Sequence, residues 1–174
     1  MSESKNKARI PVQKRSIETR EKILNAAWEL FAEEGYFKTS THDLAQRAGV
    51  ATGSFYGYFN NKKEVAIELI KKFYKEASEK ALYNIHMDLG DEVSESLDNG
   101  KKLVRSLIRT LKEAHEINPM IHRDGQALIL LEEDVGEINR EEEKKIIEFL
   151  IHLLQKYKQF IRAINIEAAA TMLF

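Results

Sequence analysis

The sequence predicts an all-α protein. Its 174 residues include only 2 prolines and 8 glycines, 32% of them are charged, and apolar residues recur at the three- and four-residue spacing of amphipathic helices. No stretch approaches the roughly 18 apolar residues of a membrane-spanning helix, and no signal-peptide core is present. The chain has no cysteine, which excludes disulfides and thiolate chemistry. We therefore expect a cytoplasmic helical protein with no membrane partner.

The N-terminal 15 residues are expected to form a flexible basic tail. They carry five basic side chains without apolar periodicity, namely Lys5, Lys7, Arg9, Lys14 and Arg15. Such an arm could reach DNA phosphates or a minor groove, or it could simply be solvated. The first helix should start at Ser16 or Thr19 and end at Glu34, before Gly35. Its apolar stripe comprises Ile23, Ala27, Leu30 and Phe31.

The most informative stretch is residues 41–63, THDLAQRAGVATGSFYGYFNNKK. Thr41 or Ser40 can cap a short helix that carries Asp43 in its first turn. Gly49 supplies the left-handed residue that commonly ends a helix, and a second helix should run from about Thr52 to Tyr58. Two short helices joined by a tight turn are typical of the helix-turn-helix, whose second helix enters the major groove of DNA.

The surface of this predicted motif favours DNA over an ordinary corner between two helices. Phe55 and Phe59 lie four residues apart and can anchor the second helix, which leaves hydroxyls, glycines and tyrosines on its other faces. Lys62 and Lys63 open the next helix, where a lysine beside exposed N–H groups suits a phosphate. Residues 1–63 hold 11 Lys and Arg against 7 Asp and Glu, whereas residues 64–174 hold 16 against 21. This asymmetry suits a protein that touches phosphates with one end.

Residues 17–70 resemble the DNA-binding domain of the tetracycline-repressor (TetR) family of bacterial regulators. The resemblance rests on AAxxLF, GY, a Thr/Ser cluster, LAxxAGV, Phe55-Tyr56 and YFxxK. It implies an N-terminal three-helix helix-turn-helix domain over residues 16–63, and a C-terminal helical effector-binding and dimerisation domain over residues 64–174. It also implies a homodimeric repressor that binds a palindromic operator on double-stranded DNA, needs no cofactor, and is released by a small-molecule effector.

Carried onto this chain, the resemblance assigns residues to the DNA. The positions that would face it are Thr41, His42, Thr52, Gly53, Ser54, Tyr56 and Tyr58, with Lys62 on a phosphate. Two positions depart from the family pattern. Ala51 stands where a capping Ser or Thr is common, and Gly57 stands where a larger side chain is common. We therefore expect few side chains to reach base edges, and specificity to depend on Ser54, His42 and DNA shape.

Further helices are predicted at Lys62–Ile85, Lys101–Ile117, Pro119–Glu133 and 138–163, with a loop or weak helix over 86–100. The last range carries an apolar arc wider than one monomer core requires, which indicates burial against both its own domain and a second copy. The alternative is a central helix of a large monomer core. The final stretch, INIEAAATMLF, starts another apolar helix, which is either unusually short or truncated.

An effector would bind among the C-terminal helices, since helical bundles place ligands between facing helices. Plausible lining residues are Tyr74, Tyr83, His86, His115, Met120, His122 and Gln126. The alternative is that this half docks a protein partner. The chain has no HExxH, phosphate loop or nucleophile elbow, so neither an enzyme nor a metal site is predicted. His115, His122 and Asp124 flank Pro119 and could still meet in space.

Overall fold

The computed structural model describes residues 9–90, 96–115, 119–156, 158–160 and 165–173. Within these ranges the chain is all-α, as predicted. The helices are α1 (Arg9–Glu33), α2 (Thr41–Arg47), α3 (Thr52–Phe55), α4 (Lys62–Leu89), α5 (Leu97–His115), α6 (Pro119–Leu131), α7 (Glu133–Lys156) and α8 (Ile166–Leu173), with a 3₁₀ turn at Lys158–Phe160. None of the described helices is both long and apolar enough to cross a bilayer.

The helices pack into two compact units. The first comprises Met1–Leu69 together with Asn118–Ala127, and the second comprises Ile70–Ile117 together with Leu128–Phe174. The first unit holds the helix-turn-helix segment. The second holds most of the helices that were predicted to bind an effector and to dimerise.

Helix α1 starts earlier than predicted. It begins at Arg9, so residues 9–15, which were predicted to belong to the basic tail, are part of this helix. Pro11 lies in the first turn, where its missing N–H has no intrahelical partner to lose, and the lysine and arginine that follow favour helix. Residues 1–8 lie outside the described part of the chain.

The first unit is built around the predicted stripe of α1. Ile23, Ala27, Leu30 and Phe31 are all buried, which confirms their inward orientation. The other buried apolar side chains from α2 to the start of α4 are Leu44, Ala45, Phe55, Phe59, Val65 and Ala66. Each short helix of the motif therefore contributes to one core, and this burial stabilises helices too short to persist alone.

The second unit has its own core, formed by α5, α7 and α8. Its buried members are Leu103, Leu107, Leu150, Leu154 and Ala170. Partly buried residues pack around them, namely Ile85, Leu89, Ile146, Ile147, Ile151, Leu153 and Ile166. Helix α5 begins at Leu97, inside the segment predicted as a loop or weak helix, and α7 covers Glu133–Lys156 where 138–163 was predicted.

Candidate DNA-binding surface

Helix α2 begins at a capping box. Ser40 is the N-cap, and its Oγ accepts from the Asp43 backbone N–H at 3.2 Å, while the Asp43 carboxylate accepts from the Ser40 backbone N–H at 2.8 Å. The two side chains thus satisfy two donors that a helix start leaves open. The Ser40 hydroxyl also donates to the Asp43 carboxylate at 2.6 Å, and this bond, together with the one from the Ser40 backbone N–H, lowers the pKa of the Asp43 carboxyl. Ser40, one of the two predicted caps, therefore fixes where α2 starts.

The turn after α2 is a Schellman motif. The Gly49 N–H donates to the Gln46 carbonyl at 3.1 Å, and the Val50 N–H donates to the Ala45 carbonyl at 3.0 Å. Gly49 has φ of 68°, the left-handed conformation in which a residue with a Cβ is strained. The predicted role of Gly49 is confirmed, and it sets the direction in which the chain enters α3.

Helix α3 is shorter than predicted, and it starts without a side-chain cap. It covers Thr52–Phe55, and its N-cap residue Ala51 makes no side-chain hydrogen bond. Beyond it the Gly57 N–H donates to the Ser54 carbonyl at 3.1 Å and the Tyr58 N–H donates to the Phe55 carbonyl at 2.9 Å. These three-residue bonds are of the 3₁₀ type. The chain therefore continues as a tighter turn, and not as α-helix, to the end of the predicted range at Tyr58.

Two phenylalanines hold α3 in place. Phe55 and Phe59 are buried, with ring centroids 6.0 Å apart, as their four-residue spacing predicted. The Arg20 guanidinium of α1 lies 4.8 Å from the centre of the Phe59 ring and forms an ion pair with Glu68 of α4. A cation above a ring face stabilises that ring. The Phe59 ring, which follows α3, is therefore held by a side chain of α1 that is itself paired with α4.

The opposite side of α3 faces outward. Ser54 and Tyr56 are exposed, Tyr56 by 53% of its surface. Gly53 is exposed too, and a Cβ built there would meet no atom within 4 Å, whereas one at Gly57 would lie 3.2 Å from the Ser54 carbonyl oxygen. The surface is consequently almost bare of long side chains. Tyr58, the last groove residue predicted on this segment, is only half-buried.

Two side-chain contacts join α2 to α3 on this outward surface. The Thr41 and Tyr56 hydroxyls lie 3.1 Å apart, and the His42 Nδ1 lies 3.3 Å from the Thr52 hydroxyl. Either group of each pair can be the donor. Four of the residues predicted to face DNA are therefore brought together in two bridges between the helices.

Lys62 turns inward. Its Nζ donates to the carbonyl oxygens of Tyr36 and Thr39, at 2.7 Å in each case, and lies 4.2 Å from the centre of the Tyr36 ring. Partial burial lowers the pKa of the Lys62 ammonium. The expected phosphate contact of Lys62 remains a prediction, and the structure shows two oxygen partners for it within the protein.

A set of charged contacts that was not predicted from the sequence holds α2 on α1. Arg47 of α2 pairs with Glu33 at 2.7 Å and with Glu29 at 3.3 Å. The Arg47 hydrogen bond lowers the pKa of the Glu33 carboxyl. These side chains are partly exposed, so the contribution of each pair to stability is small. The partners are 14 and 18 residues apart in the chain, so no local sequence pattern pointed to them.

A second missed feature is the cap of α4. The Glu64 N–H donates to the Asn61 Oδ1 at 2.9 Å, and the Asn60 backbone N–H donates to the Glu64 carboxylate at 2.9 Å. Asn60 also donates through its side-chain amide, and these bonds lower the pKa of the Glu64 carboxyl. The spacing of Asn61 and Glu64 matches the capping-box pattern, so the sequence carried a usable signal.

Among the residues that the structure describes, those predicted to line an effector site do not share one face. On α4, Tyr74 is buried whereas Tyr83 is 62% exposed and His86 is exposed. Nine residues separate Tyr74 from Tyr83, which places them on opposite faces of a helix. Gln126 is exposed. The side chains of His115, Met120 and His122 lie outside the described residues.

Tyr74 instead joins two helices of the second unit. Its hydroxyl donates to the Asn139 Oδ1 at 2.8 Å, and the Asn139 amide donates to Glu143 at 2.8 Å. Burial, with the nearby Glu143 and Glu142 charges, raises the pKa of Tyr74 to about 12. No cluster of three metal-ligating side chains occurs among the residues that the structure describes.

Comparison with known proteins agrees with this geometry. Residues 23–69 match the family described as "Bacterial regulatory proteins, tetR family". A 50-residue segment is 44% identical to the fatty acid metabolism regulator protein of Bacillus subtilis (strain 168), covering 29% of this chain and 26% of that protein. A 137-residue segment is 24% identical to the HTH-type transcriptional regulator TtgR of Pseudomonas putida, covering 75% of this chain and 60% of that protein.

A solved structure extends the likeness over most of the chain. The fatty acid degradation regulator FadR from Bacillus halodurans is 25% identical, with a TM-score of 0.61 over 89% of this chain and 77% of that one. The matched segments span only 26% and 60% of the two curated relatives. The helix-turn-helix segment therefore matches the tetR family of bacterial regulatory proteins, and the helical fold is similar to that of a solved regulator of fatty acid degradation.

Proposed function

We propose that the chain is a sequence-specific repressor that binds a palindromic operator as a homodimer and leaves it when a small molecule binds the second unit. The proposal of DNA binding rests on the outward surface of α2 and α3. It presents Ser54 and Tyr56 on a short helix whose backbone is exposed at Gly53. A surface with little side-chain bulk allows a close approach to base edges and phosphates.

The apolar residues of α7 support the homodimer. Leu150 and Leu154 are buried in the core of the second unit, whereas Ile147 and Ile151 are only partly buried and Phe149 is 36% exposed. One chain therefore leaves part of the apolar arc of this helix uncovered. A second copy would cover it and, through two-fold symmetry, would supply a second recognition helix for the other half-site.

The relatives indicate which ligands to try first. Two of those named above are regulators of fatty acid metabolism and degradation. We propose an apolar, fatty-acid-derived effector that binds between helices of the second unit. The lining residues predicted from the sequence remain the first positions to substitute.

The test is a fluorescence-anisotropy titration with labelled DNA that flanks the gene for this chain. Excess competitor DNA and several salt concentrations would accompany it, with Tyr56→Ala as the variant. We expect tight, competitor-resistant binding that falls steeply with salt, because each neutralised phosphate releases counterions. The variant should lose most of this binding while keeping its helical circular dichroism.

A second measurement addresses the effector. Fatty acids and their thioesters should raise the unfolding temperature and lower the DNA affinity if they bind the folded, DNA-free form. Equal weak binding to every DNA would contradict a sequence-specific regulator. Specific DNA binding without any ligand response would favour the alternative, in which the C-terminal half docks a protein partner.

A further inference from the structure

The contacts of Lys62 point to a role other than binding phosphate. We propose that Lys62 is a positioning residue for DNA binding, whose ammonium holds the turn before α2 and does not pair with a DNA phosphate. The inference rests on the proposed DNA-binding function, which it refines by assigning a task to one residue of the motif.

The Lys62 ammonium already has hydrogen-bond partners within the protein. A lysine ammonium has three donors, and two of them serve the Tyr36 and Thr39 carbonyls at 2.7 Å. The same nitrogen lies 4.2 Å from the centre of the Tyr36 ring. A move toward a phosphate would remove the charged donor from both carbonyls. Thr39 is only 2% exposed, so water is a poor replacement there.

The turn that Lys62 contacts lies directly before α2 and sets the direction of that helix. Gly35 has φ of 92°, and the Thr39 hydroxyl donates back to the Gly35 carbonyl at 2.8 Å. The Tyr36 ring packs edge-on against Phe31 of α1 with centroids 5.3 Å apart. Ser40, which caps α2, follows Thr39 directly. The bonds from Lys62 therefore act on the turn that aims α2 and its outward residues.

The start of α4 carries a negative charge and a side-chain cap of its own. The Glu64 carboxylate lies in the first turn and accepts from the Asn60 backbone and side chain at 2.9 and 2.7 Å. The Asn61 side chain occupies the Glu64 N–H. A helix start attracts an anion through its open N–H groups. Here the Asn61 side chain already occupies one of these N–H groups, and the Glu64 carboxylate places a negative charge in the first turn, which disfavours a phosphate.

Lys62→Met separates the two roles, because it keeps the stem of the side chain and removes the ammonium. Lys38→Met, at an exposed lysine of the same turn, controls for the loss of one positive charge. Two readouts are needed. One is the position of the Thr41, His42 and Asp43 amide signals in NMR spectra of the free protein, and the other is the slope of log affinity against log salt for operator DNA.

We expect Lys62→Met to shift the α2 amide signals in the free protein and to weaken operator binding by about tenfold, as the loss of charged hydrogen bonds implies. The salt slope should stay at the wild-type value. Lys38→Met should leave the α2 signals unmoved. Lys62→Gln keeps N–H donors without the charge, so it should recover part of the lost affinity, and it serves as the test variant if Lys62→Met does not fold.

Two results would overturn the proposal. A salt slope reduced by about one unit, the change expected when one phosphate contact is lost, would make Lys62 a phosphate ligand. Unmoved α2 signals in the free variant would show that the turn does not need the ammonium. If the wild-type chain binds no specific DNA, the proposed function fails, and the free-protein spectra still decide whether Lys62 positions α2.

Discussion

The hydroxyl of Thr41 in α2 lies 3.1 Å from the hydroxyl of Tyr56, directly after α3. The two residues are 15 positions apart and both lie on the outward surface of the motif. Their hydrogen bond joins the end of α3 to the start of α2. It therefore holds the surface in one arrangement before DNA arrives, which lowers the ordering cost of binding.

We expect the pair to be coupled in DNA binding. Thr41→Val and Tyr56→Phe each remove one hydroxyl and keep the shape of the side chain. Each should weaken operator binding, and the double variant should lose less than the sum, by about 0.5 to 1.5 kcal/mol. Anisotropy titrations of all four proteins measure this. Strict additivity would mean that the hydroxyls act separately on DNA.

Two glycine substitutions should change stability in opposite directions. Gly53→Ala should raise the free energy of unfolding by about 0.5 to 1 kcal/mol, because a Cβ there meets no atom within 4 Å. Gly49→Ala should lower it by about 1 kcal/mol, since the residue has φ of 68°. Urea unfolding followed by circular dichroism compares the two variants.

Gly53→Ala also tests the orientation of α3. The added methyl group stands on the surface that we propose to face the groove, so operator affinity should fall although stability rises. If the variant is more stable than wild type and binds operator DNA with the same affinity, the backbone at Gly53 does not approach the duplex.

The capping box predicts a specific acid dependence. Hydrogen bonds from Ser40 lower the pKa of Asp43 below its ordinary value of 3.8, so its contribution to stability is complete above that value. The contribution is lost as the pH falls through the lower folded pKa. Asp43→Asn should therefore unfold at lower urea than wild type near neutral pH, and the gap should close in acid. A gap that does not change with pH would contradict this assignment.

Removal of the Tyr74 hydroxyl should destabilise the second unit. Tyr74→Phe leaves the Asn139 oxygen without its 2.8 Å donor, which should cost about 1 to 3 kcal/mol. Folding raises the pKa of Tyr74, so the stability that its protonated hydroxyl contributes depends on alkaline pH. This contribution is fully present below the ordinary pKa of 10.0 and is lost as the pH rises toward about 12. The stability gap between wild type and variant, measured by thermal unfolding, should narrow over that range.

Phe149 provides a test of the homodimer. It is 36% exposed on α7, where Ile147 and Ile151 are also only partly buried. Phe149→Glu should shift the protein toward monomer in sedimentation, because it would bury a charge at the interface. Glu148→Gln, at the neighbouring exposed position, should leave the assembly unchanged. If the two variants sediment alike, α7 is not the interface.

The features that were predicted correctly depend on residues close together in the chain. The start of α2 follows from Ser40 and Asp43, three positions apart, and its end follows from the backbone freedom of Gly49. The buried stripe of α1 follows from the helical repeat alone. In each case the deciding residues lie within a few helical turns of one another, so the order of residues is sufficient to predict the result.

The remaining features depend on partners distant in the chain. The ammonium of Lys62 reaches carbonyls 26 and 23 positions away, and Tyr74 meets Asn139, 65 positions away. A lysine at a helix start suits both a phosphate and a buried carbonyl, and a tyrosine on a helix suits both a ligand pocket and a core. The sequence by itself determined the helical class, the motif and its caps. Only the packed structure decided that the Lys62 side chain of the motif turns inward, because that position depends on carbonyl oxygens brought near by folding.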